Sequence, residues 1–433
     1  MKKEAKRLLK MFKKTIYSKQ FLESHRKSKN SFIRNRKMPF PNLILFMLNL
    51  VKKSLQKELS EFFLKFSKEK NITNSAFCQS RMNLNYTAFV ELNDLMISDF
   101  YTKSEYKSWK DFRLLAIDGS RLQLPVSKEI IETFGCAKNN HEIKTPMAQA
   151  SYCLDLLNKK IINSEIDRNE TSEYKLALKH LEKINSEKDL LIYDRGYSAI
   201  WFMFYHFFVG KEFLIRMQRN SIQEVQDFFN SKEKDKIIDI KELGNKSDVQ
   251  IKNLNLEFKS FRIRLIKVIL DNGEIEVLAT SLLDEKKYPS EEFKDLYFLR
   301  WGIETEFDHL KNHLMIEDFT GFSALSIMQD FYSTQLAANL QQVIINEAEE
   351  ELKEEKKNAE YEYKVNRNLS VGFMKDRLID IIFTKDVKEQ EKKFDKLKEL
   401  FKINPTPIRK GRSFPRVYHK TRKKFYIKKK RAI

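Results

Sequence analysis

A chain of 433 residues exceeds the usual size of one compact domain, and its 42% hydrophobic and 12% aromatic content excludes a disordered polymer. Apolar runs such as Leu43 to Leu48 are too short to span a membrane. Cys78, Cys136 and Cys153 lack the spacing of a disulfide framework or zinc knuckle, and no cleavable apolar segment follows the basic start, so a cytoplasmic protein without membrane contact is expected.

The net charge of +20 lies at the ends: residues 1–40 hold 14 Lys or Arg against two Glu, and residues 401–433 hold 13 and no acid, leaving the body at −5. Such flanks suit contact with a phosphate backbone, or serve as solvated tails. Residues 41–110 read as helical, with apolar positions three and four apart through Leu55, Leu59, Phe62, Phe63 and Phe66. Asn71-Ile-Thr-Asn-Ser75 interrupts the pattern and a helix restarts at Ala76. This outline fits a helix-turn-helix whose second helix offers Gln79, Ser80 and Arg81 to a DNA groove; two helices joined by a polar turn fit an ordinary bundle equally well.

The period then changes. Arg113-Leu-Leu-Ala-Ile-Asp118 predicts a short buried strand ending on a carboxylate, and Ala148–Leu157 with Lys160–Ile166 predicts a hairpin about Asn158-Lys159. Ser172–Ile184 has helical spacing, Asp189-Leu-Leu-Ile-Tyr-Asp194 is a second apolar strand ending in Asp, a helix covers 198–208, and Glu212–Met217 is a further strand. The order is strand, strand, strand, helix, strand, helix, strand. Residues 220–285 depart from it: Phe261–Leu270 and Glu274–Leu282 meet at Asp271-Asn272-Gly273, a strong hairpin signal. One long helix is expected from Glu291 to about Met315, another over Gln329–Lys356, and a polar linker over 357–368.

Two Asp residues at the ends of neighbouring apolar strands suit binding of hard divalent cations, because the strands fix the carboxylates and the loops leave room for a substrate; singly, each is equally ordinary turn chemistry. Tyr297, Arg300, Glu304 and Lys311 have offsets of 0, 3, 7 and 14, which on an α-helix project at about 0°, −60°, −20° and −40° and so share one face. A carboxylate among two cations and a phenol can ligate metal while gripping phosphate, or can be a solvated ion-pair face. Glu306 projects to the opposite side, whereas Asp308 does not, so periodicity leaves Glu304 and Asp308 both open.

These residues resemble the bacterial insertion-sequence-4 transposases, cut-and-paste enzymes with an Asp-Asp-Glu triad and the signature Tyr-x2-Arg-x3-Glu-x6-Lys. The signature is met without a gap from Tyr297 through Arg300 and Glu304 to Lys311; Ile117-Asp118-Gly119-Ser120 and Asp194-Arg195-Gly196-Tyr197 match the surroundings of the family's two Asp residues. The resemblance, over roughly residues 30–340, implies an α/β fold: a ribonuclease H-like core with a β-rich insertion, preceded by a helical DNA-binding domain and followed by C-terminal helices. On that scheme residues 1–105 are the helical, basic DNA-binding region, 106–218 and 289–350 the two parts of the core, 219–288 the insertion, and 351–433 charged helices with a basic tail.

The resemblance further implies that Asp118, Asp194 and Glu304 are catalytic and hold two Mg2+ ions, for which Mn2+ can substitute. Tyr297 and Arg300 would hold the phosphate at the cleaved end, and Lys311 the nearby backbone. The implied activity is cleavage at transposon ends followed by 3′-hydroxyl strand transfer. The partners would be inverted-repeat ends and target DNA at a bacterial nucleoid, with a homodimer joined by helices after Gln329. A metal-dependent nuclease without joining activity and a non-catalytic DNA-binding derivative are the rival readings. Relatives that cut through a DNA hairpin stack a flipped base on a tryptophan in the insertion. Here no Trp lies between Trp201 and Trp301, and Phe258, Phe261 or Tyr288 would have to offer the stacking face.

Overall fold

The computed structural model describes residues 4–33, 38–49, 53–66, 72–137, 145–184, 186 and 188–409. The basic segment from residue 410 onward, expected to contact DNA, lies outside them. The chain begins with helices α1 (Glu4–Ile16), α2 (Lys19–His25), α3 (Phe40–Leu48), α4 (Leu55–Phe66), α5 (Asn74–Arg81) and α6 (Thr87–Lys103). Their apolar faces do not close on a core of their own. Phe12, Phe46, Phe62 and Phe89 belong to the same buried cluster as Leu115 and Ile192 of the sheet and Leu336 of the long helix described below.

The sheet is built from β1 (Arg113–Gln123), β2 (Met147–Asp155), β3 (Lys160–Arg168), β4 (Asp189–Tyr193), β5 (Glu212–Arg216), β6 (Asp235–Ile240), β7 (Phe261–Ile269) and β8 (Ile275–Thr280), in the spatial order β3-β2-β1-β4-β5-β8-β7-β6. Between them run α7 (Lys128–Phe134), α8 (Glu173–Lys183), α9 (Ile200–Phe208), α10 (Gln223–Asn230) and α11 (Asn245–Asn253). β1, β2 and β3 pair antiparallel, while β1, β4 and β5 run parallel. Buried on both faces, the strands β1 and β4 read as near-continuous apolar runs.

Three expectations are corrected here. β1 does not end at Asp118: it continues through Gln123, because Asp118 to Gln123 pair with Tyr152 to Met147 of β2. The hairpin of residues 220–285 forms as β7 and β8, yet it extends the central sheet, with β8 antiparallel to β5. Phe261 and Tyr288 are 4% and 6% exposed, with Tyr288 stacked on Trp109, so both fill the core and offer no face to a base.

After β8 come α12 (Glu292–Phe298), α13 (Trp301–Asp308), α14 (Ala324–Glu355), β9 (Glu362–Lys364), α15 (Arg367–Met374), α16 (Arg377–Phe383), α17 (Val387–Lys402) and β10 (Thr406–Ile408). Within the expected polar linker of 357–368, Glu362–Lys364 forms β9 and pairs with β10 in a two-stranded sheet. α14 is capped by Ser323 and Ser326 in reciprocal hydrogen bonds, and it runs through the interior with both apolar and amide side chains buried. Asn339 satisfies the backbone of Ile161 in β3 from both sides of its amide. With Ser333 to Ile345 buried inside the chain, this part of the helix has no face left for a dimer contact. No helix among the described residues is long and apolar enough to cross a membrane.

Candidate active site

β1 and β4 pair in register from Arg113 opposite Asp189 to Ala116 opposite Ile192. Two further steps along the same register bring Asp118 opposite Asp194, just past the last residue of β4. Adjacent strands lie about 4.8 Å apart, and residues two steps on keep the same face of the sheet, so the two carboxylates emerge side by side at the carboxyl edge of the parallel pair. Each is oriented by the backbone that follows it. Asp118 Oδ1 accepts the Gly119 N–H at 2.8 Å, and Asp194 Oδ1 accepts the Gly196 N–H at 2.6 Å, opening a single 3-10 turn over Arg195–Tyr197.

Burial pushes the Asp118 carboxyl up to about 7, and the neighbouring charges of Asp194 and Glu173 push the same way, against the Gly119 N–H and the Arg300 guanidinium. Beneath Asp118, Ser151 donates its hydroxyl to the Asp118 carbonyl at 3.0 Å and itself lies 3.0 Å from His180 Nε2, so buried polar groups anchor the strand at this point.

The helical stretch after the hairpin supplies the cations. It is not one regular helix: α12 and α13 are separated at Leu299–Arg300, and His309–His313 form a π-helical turn. Arg300 sits at the junction, 5% exposed, with Nη2 donating to Glu304 Oε1 at 2.8 Å and Nη1 3.9 Å from Asp118 Oδ2. Arg300 thus links one member of the Asp pair to Glu304. The alternatives to Glu304 point elsewhere, since Glu306 is buried against Arg367 at 2.8 Å and the exposed Asp308 accepts from Asn312 at 2.7 Å. Glu306 thus projects away from Arg300, as the spacing predicts, and Glu304 rather than Asp308 meets Arg300.

Tyr297 is 6% exposed, lies beneath Arg300 with the guanidinium 5.8 Å from its ring, and has a buried hydroxyl without a hydrogen-bond partner among the described residues; burial pushes that hydroxyl up to about 12. The π turn re-aims Lys311 relative to an ideal helix. Its Nζ reaches β1, donating to Ser120 Oγ at 2.6 Å and the Arg121 carbonyl at 2.9 Å. Tyr297, Arg300, Glu304 and Lys311 therefore all face the carboxyl edge where Asp118 and Asp194 emerge, although by a different backbone path from the uniform helix face expected.

Glu173 was missed from sequence. It opens α8 after the N-cap Ser172 and is exposed, with its carboxylate beside Gly119, where Gln149 Nε2 donates to Glu173 Oε1 at 3.4 Å. A Cβ at Gly119 would meet Gln149 Nε2 at 2.7 Å and Glu173 Oε1 at 3.0 Å, so a larger residue there would push these side-chain ends aside. Among the described residues no group of three or more His, Cys, Asp or Glu side chains stands close enough, as placed, to hold a metal ion.

Arg81, offered above to a DNA groove, is 4% exposed and turned inward. It donates to Gln329, Thr320, the Ser326 carbonyl and Asp330, locking α5 to α14. This guanidinium is structural and cannot read a base edge.

An acidic pair at the carboxyl edge of a mixed sheet, faced by a buried Arg and a half-buried Lys, defines a site built for an anionic substrate. The model of the family described as Transposase DDE domain matches residues 109–340, more than half of the chain, and the chain belongs to that family. Among solved structures it is similar to the piggyBac transposase in a synaptic complex with hairpin DNA, determined by cryo-EM. The two share 10% identity over 90% of this chain and 85% of that one, at a TM-score of 0.47. No curated protein matches the chain.

Proposed function

We propose that the chain is an active DNA transposase that cleaves at the ends of a mobile element and joins the freed 3′-hydroxyl to target DNA. Asp118, Asp194 and Glu304 are its catalytic carboxylates. The observation that carries this reading is the β1–β4 register, which continued two residues past Ala116 and Ile192 brings Asp118 level with Asp194, together with Arg300, which reaches both Asp118 and Glu304. The donor chemistry fits Mg2+, with Mn2+ as a substitute: the three groups are hard oxygen ligands, and Asp118 is a half-buried carboxylate whose charge Arg300 neutralises only in part. Glu304, which accepts from Arg300 at 2.8 Å, would complete the oxygen ligand set beside the Asp pair. Two such ions, when bound, would lower the pKa of an attacking water and stabilise the entering and leaving oxygens of an in-line displacement.

The remaining work falls to the chain's own side chains. Arg300, released from Glu304, forks onto non-bridging phosphate oxygens beside the scissile bond, and the Tyr297 hydroxyl gains in DNA the partner it lacks in the free protein. Lys311, held to β1 through Ser120, fixes the backbone next to the cut. Water attacks phosphorus and a 3′-hydroxyl leaves; that hydroxyl then attacks a phosphodiester of the target, with a second 3′-oxygen leaving. The partners are the element's inverted-repeat ends and target DNA, gathered by two copies of the chain, and the basic flanks add phosphate contacts. Asp118→Ala tests the assignment: it should abolish Mg2+-dependent cleavage while DNA binding persists. Unchanged cleavage would remove Asp118 from the site, and cleavage without joining in the intact protein would make it a nuclease.

A further inference from the structure

We infer that the free edge of β6 is the surface to which a second copy of this chain adds, the two β6 strands pairing antiparallel about a two-fold axis at Ile238. The long helix α14, where a dimer contact was expected, is closed to this role by the burial of Ser333 to Ile345. The inference does not depend on the catalytic reading, since β4, with Asp194 just past its end, lies four strands from β6.

β6 ends the eight-stranded sheet, and among the described residues no strand lies beyond it. Its register with β7 runs from Asp235 opposite Ile266 to Ile240 opposite Phe261, and at that same register the Lys234 carbonyl accepts the Lys267 N–H at 2.8 Å. Hydrogen-bonded and non-bonded pairs alternate along an antiparallel ladder, so the even-numbered residues bond β7. Asp235, Ile237 and Asp239 then turn their N–H and C=O groups to the open edge. Lys236, Ile237 and Asp239 are exposed there. Such a row of unpaired groups is a template for one more strand.

Lys and Asp on an edge ordinarily serve to keep other chains away. Here the order of the charges is self-complementary. A two-fold axis perpendicular to the sheet keeps core face beside core face, so opposed residues have numbers of the same parity. Centred on Ile238, the pairing sets Ile237 against the partner's Asp239 as a hydrogen-bonded pair and Asp235 against the partner's Lys241. One residue further on, Lys234 meets the partner's Glu242, and symmetry forms each pair twice. Centred instead on Ile237 or Asp239, the pairing sets Asp opposite Asp. Opposite charges across strands stabilise a pair and like charges oppose it, so the sequence selects both its own copy and the register. The strand is also fixed before a partner arrives: Asp235 accepts from the buried Arg264 Nε at 2.8 Å, while Lys234, Lys241 and Glu242 remain exposed.

The test is sedimentation equilibrium of the full chain without DNA over a concentration series, for the wild type, Ile237→Pro, Glu242→Lys and Lys234→Glu/Glu242→Lys, with circular dichroism to verify the fold of each. The wild type is expected to form a dimer. Proline is tolerated on an edge strand where the N–H faces outward, so Ile237→Pro keeps the β7 ladder, removes the N–H that would donate to the partner's Asp239 carbonyl, and should sediment as a monomer. Glu242→Lys, which sets Lys opposite the partner's Lys234 twice, should weaken association about tenfold, and the double reversal should restore it. These charge changes lie on exposed side chains and test the same contact should the proline variant not fold. A wild type that stays monomeric throughout the series would overturn the inference. A dimer that neither Ile237→Pro nor Glu242→Lys weakens would overturn it too, placing the contact on another surface.

Discussion

Replacing Asp118 by Asn should stabilise the metal-free protein while destroying its chemistry. The Asp118 carboxyl is pushed up to about 7 from an ordinary 3.8, chiefly by burial, so its ionised form carries a penalty at pH 8. Three units correspond to about 4 kcal/mol, since each is about 1.4 kcal/mol. Asn retains the carbonyl that accepts from Gly119, and the desolvation of its own amide reduces the expected gain to about 2–3 kcal/mol. With an unfolding entropy of about 2.1 cal/mol/K per residue, this raises the melting temperature in chelator by about 2–3 °C. Mg2+ at a thousand times its dissociation constant should reverse the order, because only the wild type gains binding energy, about 4.1 kcal/mol. The assay is thermal unfolding at pH 8 in EDTA and in Mg2+. An Asn variant that melts below the wild type in EDTA would refute the view that Asp118 is held as an under-compensated charge.

Tyr297→Phe removes a buried hydroxyl that has no partner in the free protein, so stability should stay within about 0.5 kcal/mol of wild type while cleavage falls; a large stability loss would show that the hydroxyl is already engaged. Arg81→Ala breaks a buried pair with Asp330 and should cost about 3–5 kcal/mol in urea unfolding, with the DNA affinity of the folded protein unchanged; a drop in affinity without loss of stability would restore a groove-reading role. His206 is buried between the Tyr193 hydroxyl and the Phe202 carbonyl, and burial lowers it to about 4. Its folded pKa lies below the ordinary 6.5, so the unfolded chain takes up the proton first; the stability tied to neutral His206 is full above pH 6.5 and lost as pH falls toward 4. The stability difference between wild type and His206→Gln should therefore move against the wild type by about 1.4 kcal/mol per pH unit below 6.5, and a flat difference would contradict a neutral His206.

The strands that carry the two Asp residues were legible because β1 and β4 are buried on both faces and spell themselves as apolar runs. The extension of β1 was not, since Gly119-Ser-Arg121 reads as a turn and is held extended only by pairing with β2. Helical spacing placed Tyr297, Arg300 and Glu304 together, yet the π turn that sends Lys311 to Ser120 arises from shifted backbone hydrogen bonds that leave no mark in residue spacing. α14 illustrates the opposite failure: Gln335, Asn339 and Gln341 look like a solvated face, and they are buried because their amides bond β3 and α15. Arg81 in a short polar helix looks like a groove reader until its partners on α14 are seen. Glu173 stayed hidden because an acid after a serine cap is what any helix start looks like; only the sheet brings it beside Asp118.

The central claim, that Asp118, Asp194 and Glu304 jointly drive cleavage and joining, is tested most directly by incubating the purified chain and Mg2+ with DNA carrying the sequences that flank its own gene, plus a target plasmid. The wild type should release ends with a free 3′-hydroxyl and yield covalently joined plasmid products. Asp118→Asn, Asp194→Asn and Glu304→Gln should each bind the DNA and form neither product. Joined products from any one of the three variants, or nicking by the wild type without a joined product, would contradict the account.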